Sequence, residues 1–149
     1  MPVTDTPPAP GAILARGVCL GLAEHGLAPL LEVALPCGLR MDVCALDRAG
    51  EIWCVEVKSC RADFVSDAKW RGYRDWCDRF AFAVPEGFPD ELLPADTGLI
   101  RADAHGAEIL RPPPLARLAP ARRKAMTLRL ARIGAERLMR TAGQCAAPL

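Results

Sequence analysis

The sequence predicts an α/β fold: a mixed β-sheet flanked by helices in the order αβββαβ, followed by a β-hairpin and a basic C-terminal helix. Three observations carry this. Short runs rich in Val, Ile, Leu, Phe and Trp, each bounded by Gly, Pro or Asp, recur at Leu30 to Leu35, Leu39 to Leu46, Ile52 to Lys58 and Arg79 to Val84. Segments of helical composition lie before the first of them and between the third and fourth. The charge is uneven as well: from Arg111 to Arg140 nine Lys or Arg stand against Glu136 alone, a net of +8 in a chain whose total is +1, leaving about −7 for the rest. A polyanion-seeking segment on an acidic body is one interpretation.

At 149 residues the chain has the size of one domain with a single substantial core. No apolar run approaches the ~18 uninterrupted residues of a membrane helix. Met1 to Pro10 is rich in Pro and Thr and lacks the basic and apolar regions of a signal peptide, so it is expected to be a disordered leader, with the single domain over residues 11–149. Seven cysteines, an odd number, sit singly without a C-x-x-C pair, and His25 and His105 are the only histidines. Neither a zinc site nor a redox motif is supported, and reduced core thiols in a cytoplasmic protein are expected.

Gly11 to His25 has the Ala content and apolar spacing of a first helix, with His25 as its C-terminal cap; Gly17 and Gly21 within it lower its propensity or mark a close approach to the sheet. Leu30 to Leu35 is the first strand, cut off by Pro36 and Gly38. Leu39 to Leu46 and Ile52 to Lys58 form a hairpin around the turn-rich Asp47-Arg48-Ala49-Gly50. A helix is expected over about Asp67 to Cys77, capped by Ser66 or Asp63. Its buried stripe would be Phe64, Trp70, Tyr73 and Cys77, with Asp67, Arg71, Arg74, Asp75 and Asp78 facing water. Arg79 to Val84 is the next strand. Thr97 to Ala102 and Ala107 to Leu110 read as a second hairpin with His105 in its turn. The spacer Pro112-Pro113-Pro114 precedes a helix over 120–140, where Pro120 suits the first turn. On that helix Leu128, Ala131 and Leu138 share the side expected to lie on the body, while Arg122, Arg129 and Arg140 share a side that would face either solvent or a phosphate backbone.

Three ionisable residues, Asp42, Glu56 and Lys58, stand in the apolar runs, where an isolated buried charge is too costly to keep. Period-2 alternation puts Ile52, Cys54, Glu56 and Lys58 on one face and Trp53, Val55 and Val57 on the other. If the loop runs from Asp47 to Glu51, then Leu46 opposes Ile52, Cys44 opposes Cys54, and Asp42 meets Glu56. A one-residue slip would send the carboxylates to opposite faces. Two carboxylates and an ammonium on one face suit a hard divalent cation and phosphodiester chemistry. The same residues also suit a structural salt bridge.

The spacing Asp42, thirteen residues, Glu56-Val57-Lys58 resembles the PD-(D/E)XK nuclease superfamily, which implies a restriction-endonuclease-like sheet. The runs Arg40-Met41-Asp42-Val43, Glu51 to Phe64 (EIWCVEVKSCRADF), Asp67-Ala68-Lys69-Trp70, Cys77-Asp78-Arg79-Phe80 and Phe82-Ala83-Val84-Pro85 are closer still to the MmcB-type DNA-repair endonucleases, over roughly Leu14 to Arg140. Met41 stands where the superfamily name has Pro, which leaves the carboxylate in place. Some members carry an iron-sulfur cluster on grouped C-terminal cysteines, but here only Cys145 lies there.

The resemblance implies an endonuclease, a deoxyribonuclease dependent on Mg²⁺ or Mn²⁺. Asp42, Glu56 and the Val57 carbonyl would hold the metal, and Lys58 would orient or activate water. It implies a further carboxylate, for which Glu32 ranks above Glu24, and auxiliary DNA-contacting residues at Lys69 and Tyr73. DNA is the implied partner, with a homodimer and DNA-repair proteins left open. A non-catalytic DNA-binding or partner-binding module that keeps the nuclease fold is the alternative, and hydrolysis of RNA a third reading.

Overall fold

A computed structural model describes residues 6–145, without the side chains of 144 and 145. The expected leader falls in part on residues 1–5, outside the described residues, and the first helix already begins at Pro10. The elements are α1 (Pro10–Glu24), β1 (Ala28–Ala34), β2 (Arg40–Leu46), β3 (Ile52–Val57), α2 (Arg61–Ser66), a 3-10 segment (Trp70–Trp76), β4 (Arg79–Val84), a short turn (Asp90–Leu92), β5 (Gly98–Ala102), β6 (Ala107–Arg111) and α3 (Pro120–Cys145). The six strands form one sheet in sequence order. β1, β2 and β3 are antiparallel, β3, β4 and β5 run parallel, and β6 returns antiparallel to β5. This is the mixed sheet that the run of apolar segments predicts.

Alternation sorts the strands into two cores. Val43, Ala45, Trp53, Val55, Val57, Ala81, Ala83 and Ile100 pack under Leu14, Val18 and Leu22 of α1. Cys44, Ile52, Cys54, Phe80, Phe82 and Val84 form the other face with Trp70 and Tyr73 of the 3-10 segment and Met126 and Leu130 of α3. The glycines of α1 mark a close approach: a Cβ on Gly17 would lie 1.7 Å from the Asp103 carbonyl oxygen, and one on Gly21 2.6 Å from that of Ala107. His25 is the C-terminal cap, with its Nδ1 2.8 Å from the Gly21 carbonyl oxygen.

Five expectations need correction. In place of a helix over Asp67 to Cys77 there is the short α2, then the 3-10 segment. Asp67 Oδ1 accepts the Lys69 N–H at 2.7 Å, a local bond that competes with helix continuation, and the backbone at Asp67 is extended. Ser66 and Asp63, the expected caps of that helix, instead lie inside α2, which begins after Cys60; the Asp63 carboxylate turns back to accept the Ser59 N–H at 3.1 Å. Asp78 does not face water: at 1 % exposure its carboxylate accepts the N–H groups of Ile52 and Leu118 and the Arg123 guanidinium. On α3, Leu128 and Leu138 are exposed, and the buried side is instead Met126 and Leu130, with Ile133 packed against them. The cysteines are free among the described residues, but only Cys44, Cys54 and Cys77 are buried, while Cys37 and Cys60 are exposed. No described helix is long and apolar enough to cross a membrane.

Candidate active site

The β2–β3 loop sets the site. Asp47 Oδ1 accepts the N–H groups of Ala49 and Glu51, both at 2.9 Å, and its Oδ2 accepts the Trp53 indole N–H at 3.1 Å. Gly50, at φ +85°, supplies the left-handed step that a side chain would resist. The loop therefore spans Asp47 to Glu51, and the ladder pairs Leu46 with Ile52, Cys44 with Cys54 and Val43 with Val55. One rung further on, Asp42 meets Glu56, as that register requires. The paired strands end there, and Asp42 Oδ2 accepts the Val57 N–H at 2.8 Å.

Glu56 is 5 % exposed and lies against Asp42, and its Oε2 is buried without a hydrogen-bond partner. Burial first, then a shared hydrogen bond with Asp42 and the charge of Asp42, push the Glu56 carboxyl up to about 9, while the Lys58 ammonium pulls the other way. Lys58, 8 % exposed, follows at the strand's end, where its N–H donates to the Ala83 carbonyl of β4 at 2.9 Å. Its Nζ donates to Asp67 Oδ2 at 2.7 Å, an ion pair whose side chains are 10 % and 13 % exposed. Burial works against ionisation of Asp67, but the bonds from Lys58 and from the Lys69 N–H outweigh it and hold the carboxyl below its ordinary value.

Asp67 is the residue that sequence reasoning missed. Helical periodicity puts it on the wet side of a helix that does not form. A charge argument would have found it: if Asp42 and Glu56 are committed to each other or to a cation, a buried lysine needs a third acid, and Asp67 lies close behind it in the chain.

The other expected residues divide. Tyr73 is buried, and its hydroxyl donates to the Arg40 carbonyl at 2.8 Å. Burial, with Glu56 and Asp42 nearby, raises its phenol so that it stays neutral. Lys69 is exposed beside Asp67. Glu32 flanks Asp42 on β1, but its backbone is left-handed at φ +49°. Its side chain, 66 % exposed, reaches Arg40 Nη2 at 3.8 Å rather than the two carboxyls. Glu24 lies exposed on α1, which packs on the opposite face of the sheet. Arg122 donates to the Asp75 carbonyl at 2.9 Å and stacks over Trp76, and Arg129 donates to the Ala34 carbonyl at 2.9 Å. Arg140 is exposed.

No group of three His, Cys, Asp or Glu side chains is placed to hold a metal among the described residues. A hard cation of the magnesium type nevertheless keeps several waters and commonly takes one or two carboxylates. The contact of Asp42 with Glu56 and the unpartnered buried Oε2 fit such an ion.

Comparison with curated proteins gives no match. A solved structure of a protein of unknown function from Silicibacter pomeroyi is 47 % identical, with a TM-score of 0.90 over 97 % of this chain and 99 % of that one. The family model described as DNA repair protein MmcB-like matches residues 3–145. The chain belongs to the MmcB-like DNA repair protein family.

Proposed function

We propose that the chain is a Mg²⁺- or Mn²⁺-dependent DNA endonuclease of repair type, hydrolysing phosphodiester bonds at Asp42, Glu56 and Lys58. The observation that carries this is the meeting of two carboxyls from adjacent strands at a buried, unpartnered oxygen, with an ammonium two residues beyond. Asp42, Glu56 and the Val57 carbonyl would hold the cation, which when bound supplies a more acidic water and offsets charge on a phosphoryl oxygen. Asp42 is oriented for this by the Val57 N–H. Lys58, held by Asp67, presents a charged donor to a phosphate oxygen or to the attacking water. The neutral Tyr73 fixes the Arg40 backbone next to Asp42. The family's repair assignment, and DNA as partner, agree with this reading.

The test is a cleavage screen over single-stranded, duplex, branched and flapped DNA with each metal, using Glu56→Ala as the blank. Wild type should cut at least one form, and Lys58→Ala should lower the rate by about 10²-fold or more while the circular dichroism spectrum is unchanged. Equal cleavage by wild type and Lys58→Ala would assign the activity to a contaminant.

The Lys58–Asp67 ion pair, which leaves the ammonium already partnered, favours a second reading as a DNA-binding module without chemistry. That reading requires binding with a steep salt dependence and no heat of Mn²⁺ binding that Asp42→Asn removes.

A further inference from the structure

Segment 60–69, which follows Lys58 and carries its ion-pair partner Asp67, has a surface that the fold does not explain. None of the six residues of α2 is buried. Two contacts anchor the segment. Phe64 meets the Phe82 ring edge-on at 5.5 Å, and Asp67 holds Lys58.

Of its acids, Asp67 is turned inward onto Lys58, and Asp63 stays at the surface with its carboxylate taken up by the Ser59 N–H and hydroxyl. Among its exposed side chains are Arg61, Val65 and Lys69, each four residues from the next. Val65 is 67 % exposed, and neither cationic side chain makes an ion pair or hydrogen bond among the described residues. On α2 itself Arg61 and Val65 are surface neighbours.

The basic helix α3 is built the other way. Arg122, Arg123, Arg129 and Arg137 all donate to body carbonyls or to Asp78. Guanidinium groups fixed in this way keep spare N–H donors, but they must break a bond to the body before they can move to follow a bound strand.

We infer that segment 60–69 is the DNA-docking arm of this site: Arg61 and Lys69 contact backbone phosphates on either side of Val65, which packs against sugar or an exposed base edge. The inference rests on the DNA reading of the proposed function and deepens it. Charge complementarity commits the occupant to a polyanion. Arg61 follows Lys58 by three residues, which keeps the arm beside the carboxyls. The arm also carries Asp67, so a strand seated on it bears directly on the carboxylate that holds Lys58.

The experiment is fluorescence anisotropy of a labelled duplex and of the matching single strand against the full chain over a salt series. The variants are Arg61→Ala, Lys69→Ala, the double variant and Val65→Ala, with Arg16→Ala on the far helix as control and thermal melts to confirm folding. Each cation removed should reduce the slope of log affinity against log salt by about 0.9 on duplex, and the double variant by roughly twice that. Val65→Ala should weaken binding several-fold with the slope unchanged.

Wild-type affinity and slope in the double variant would overturn the inference. So would a loss seen only in Arg140→Ala on α3. Absence of DNA binding by wild type would overturn it together with the DNA reading. Binding that depends on the arm but is never followed by cleavage would overturn the nuclease proposal and leave the arm standing.

Discussion

Glu56 is the residue at which the site can be read without a substrate. Its carboxyl titrates at about 9 in the folded chain, against 4.5 for the ordinary group, because it is buried beside Asp42. The folded state therefore holds a proton there that the unfolded chain has released, over the window between those two values. Stability from this group is fully present below the lower value and is lost as pH rises through the upper one. The difference in melting temperature between wild type and Glu56→Gln should thus widen in favour of the variant from pH 5 to pH 9. A constant difference would mean that the carboxyl is not raised. The lowered carboxyl of Asp67 acts at the other end, losing its contribution only as the pH falls into the acid range. A divalent cation must displace the shared proton, so Mn²⁺ should raise the wild-type midpoint more at pH 8 than at pH 6. A saturating ion at about a hundred times its Kd adds about 2.7 kcal/mol. Asp42→Asn should abolish that rise, and differential scanning fluorimetry suffices to measure both effects.

At the scale of the element, what was legible is what alternation and turn chemistry decide. β4 appears with its expected bounds, and the β2–β3 register follows from the Asp47 loop, which is why Asp42 and Glu56 could be paired from their spacing. What was not legible depends on a partner distant in the chain. Asp67 leaves the helical pattern through a bond to its own backbone and an ion pair to Lys58, and neither has a period. The docking side of α3 is set by the surface that Met126 and Leu130 find, although Leu128 and Leu138 are as apolar. Of the arginines expected to face solvent or a phosphate backbone, Arg140 is exposed, while Arg129, and Arg137 on the same helix, donate to the carbonyls of Ala34 and Glu32 on the outer strand β1. They thereby occupy a sheet edge that another chain could otherwise pair with. The glycines of α1 were ambiguous in sequence and are decided by distance. Because the Asp103 carbonyl sits where a Gly17 side chain would begin, Gly17→Ala must push the helix off the β5–β6 turn. Overpacking of this kind costs about 1–3 kcal/mol, read as a lower midpoint in a urea melt with an unchanged slope.

Across the whole molecule, one buried carboxylate joins the start of the basic C-terminal segment to the sheet. Asp78 Oδ2 accepts the Ile52 N–H at 2.8 Å, at the start of the strand that carries Glu56, while its Oδ1 accepts the Leu118 N–H at 2.8 Å and the Arg123 guanidinium. Its own carbonyl accepts the Ala116 N–H, also at 2.8 Å. Next to it Arg79 pairs with Glu51 at 2.7 Å and donates to the Pro113 carbonyl, so the hairpin loop, the proline spacer and α3 converge on two adjacent residues. This divides the charge of the chain into parts with different work: acids hold the site and the joint, and most α3 arginines hold the helix to the body. Asp78→Ala would leave two backbone donors and a guanidinium without their acceptor at a position closed to solvent. Removing one partner of a buried pair costs about 3–5 kcal/mol, and a chain of this size loses roughly 2–4 °C of melting temperature per kcal/mol. The expected drop is therefore on the order of 10 °C. Arg132→Ala, which breaks only the exposed pair with Glu136 (side chains 80 % and 60 % exposed), should leave the midpoint within about a degree. Equal, small shifts in the two variants would show that α3 is held by Met126 and Leu130 alone, and that the carboxylate at the joint is incidental.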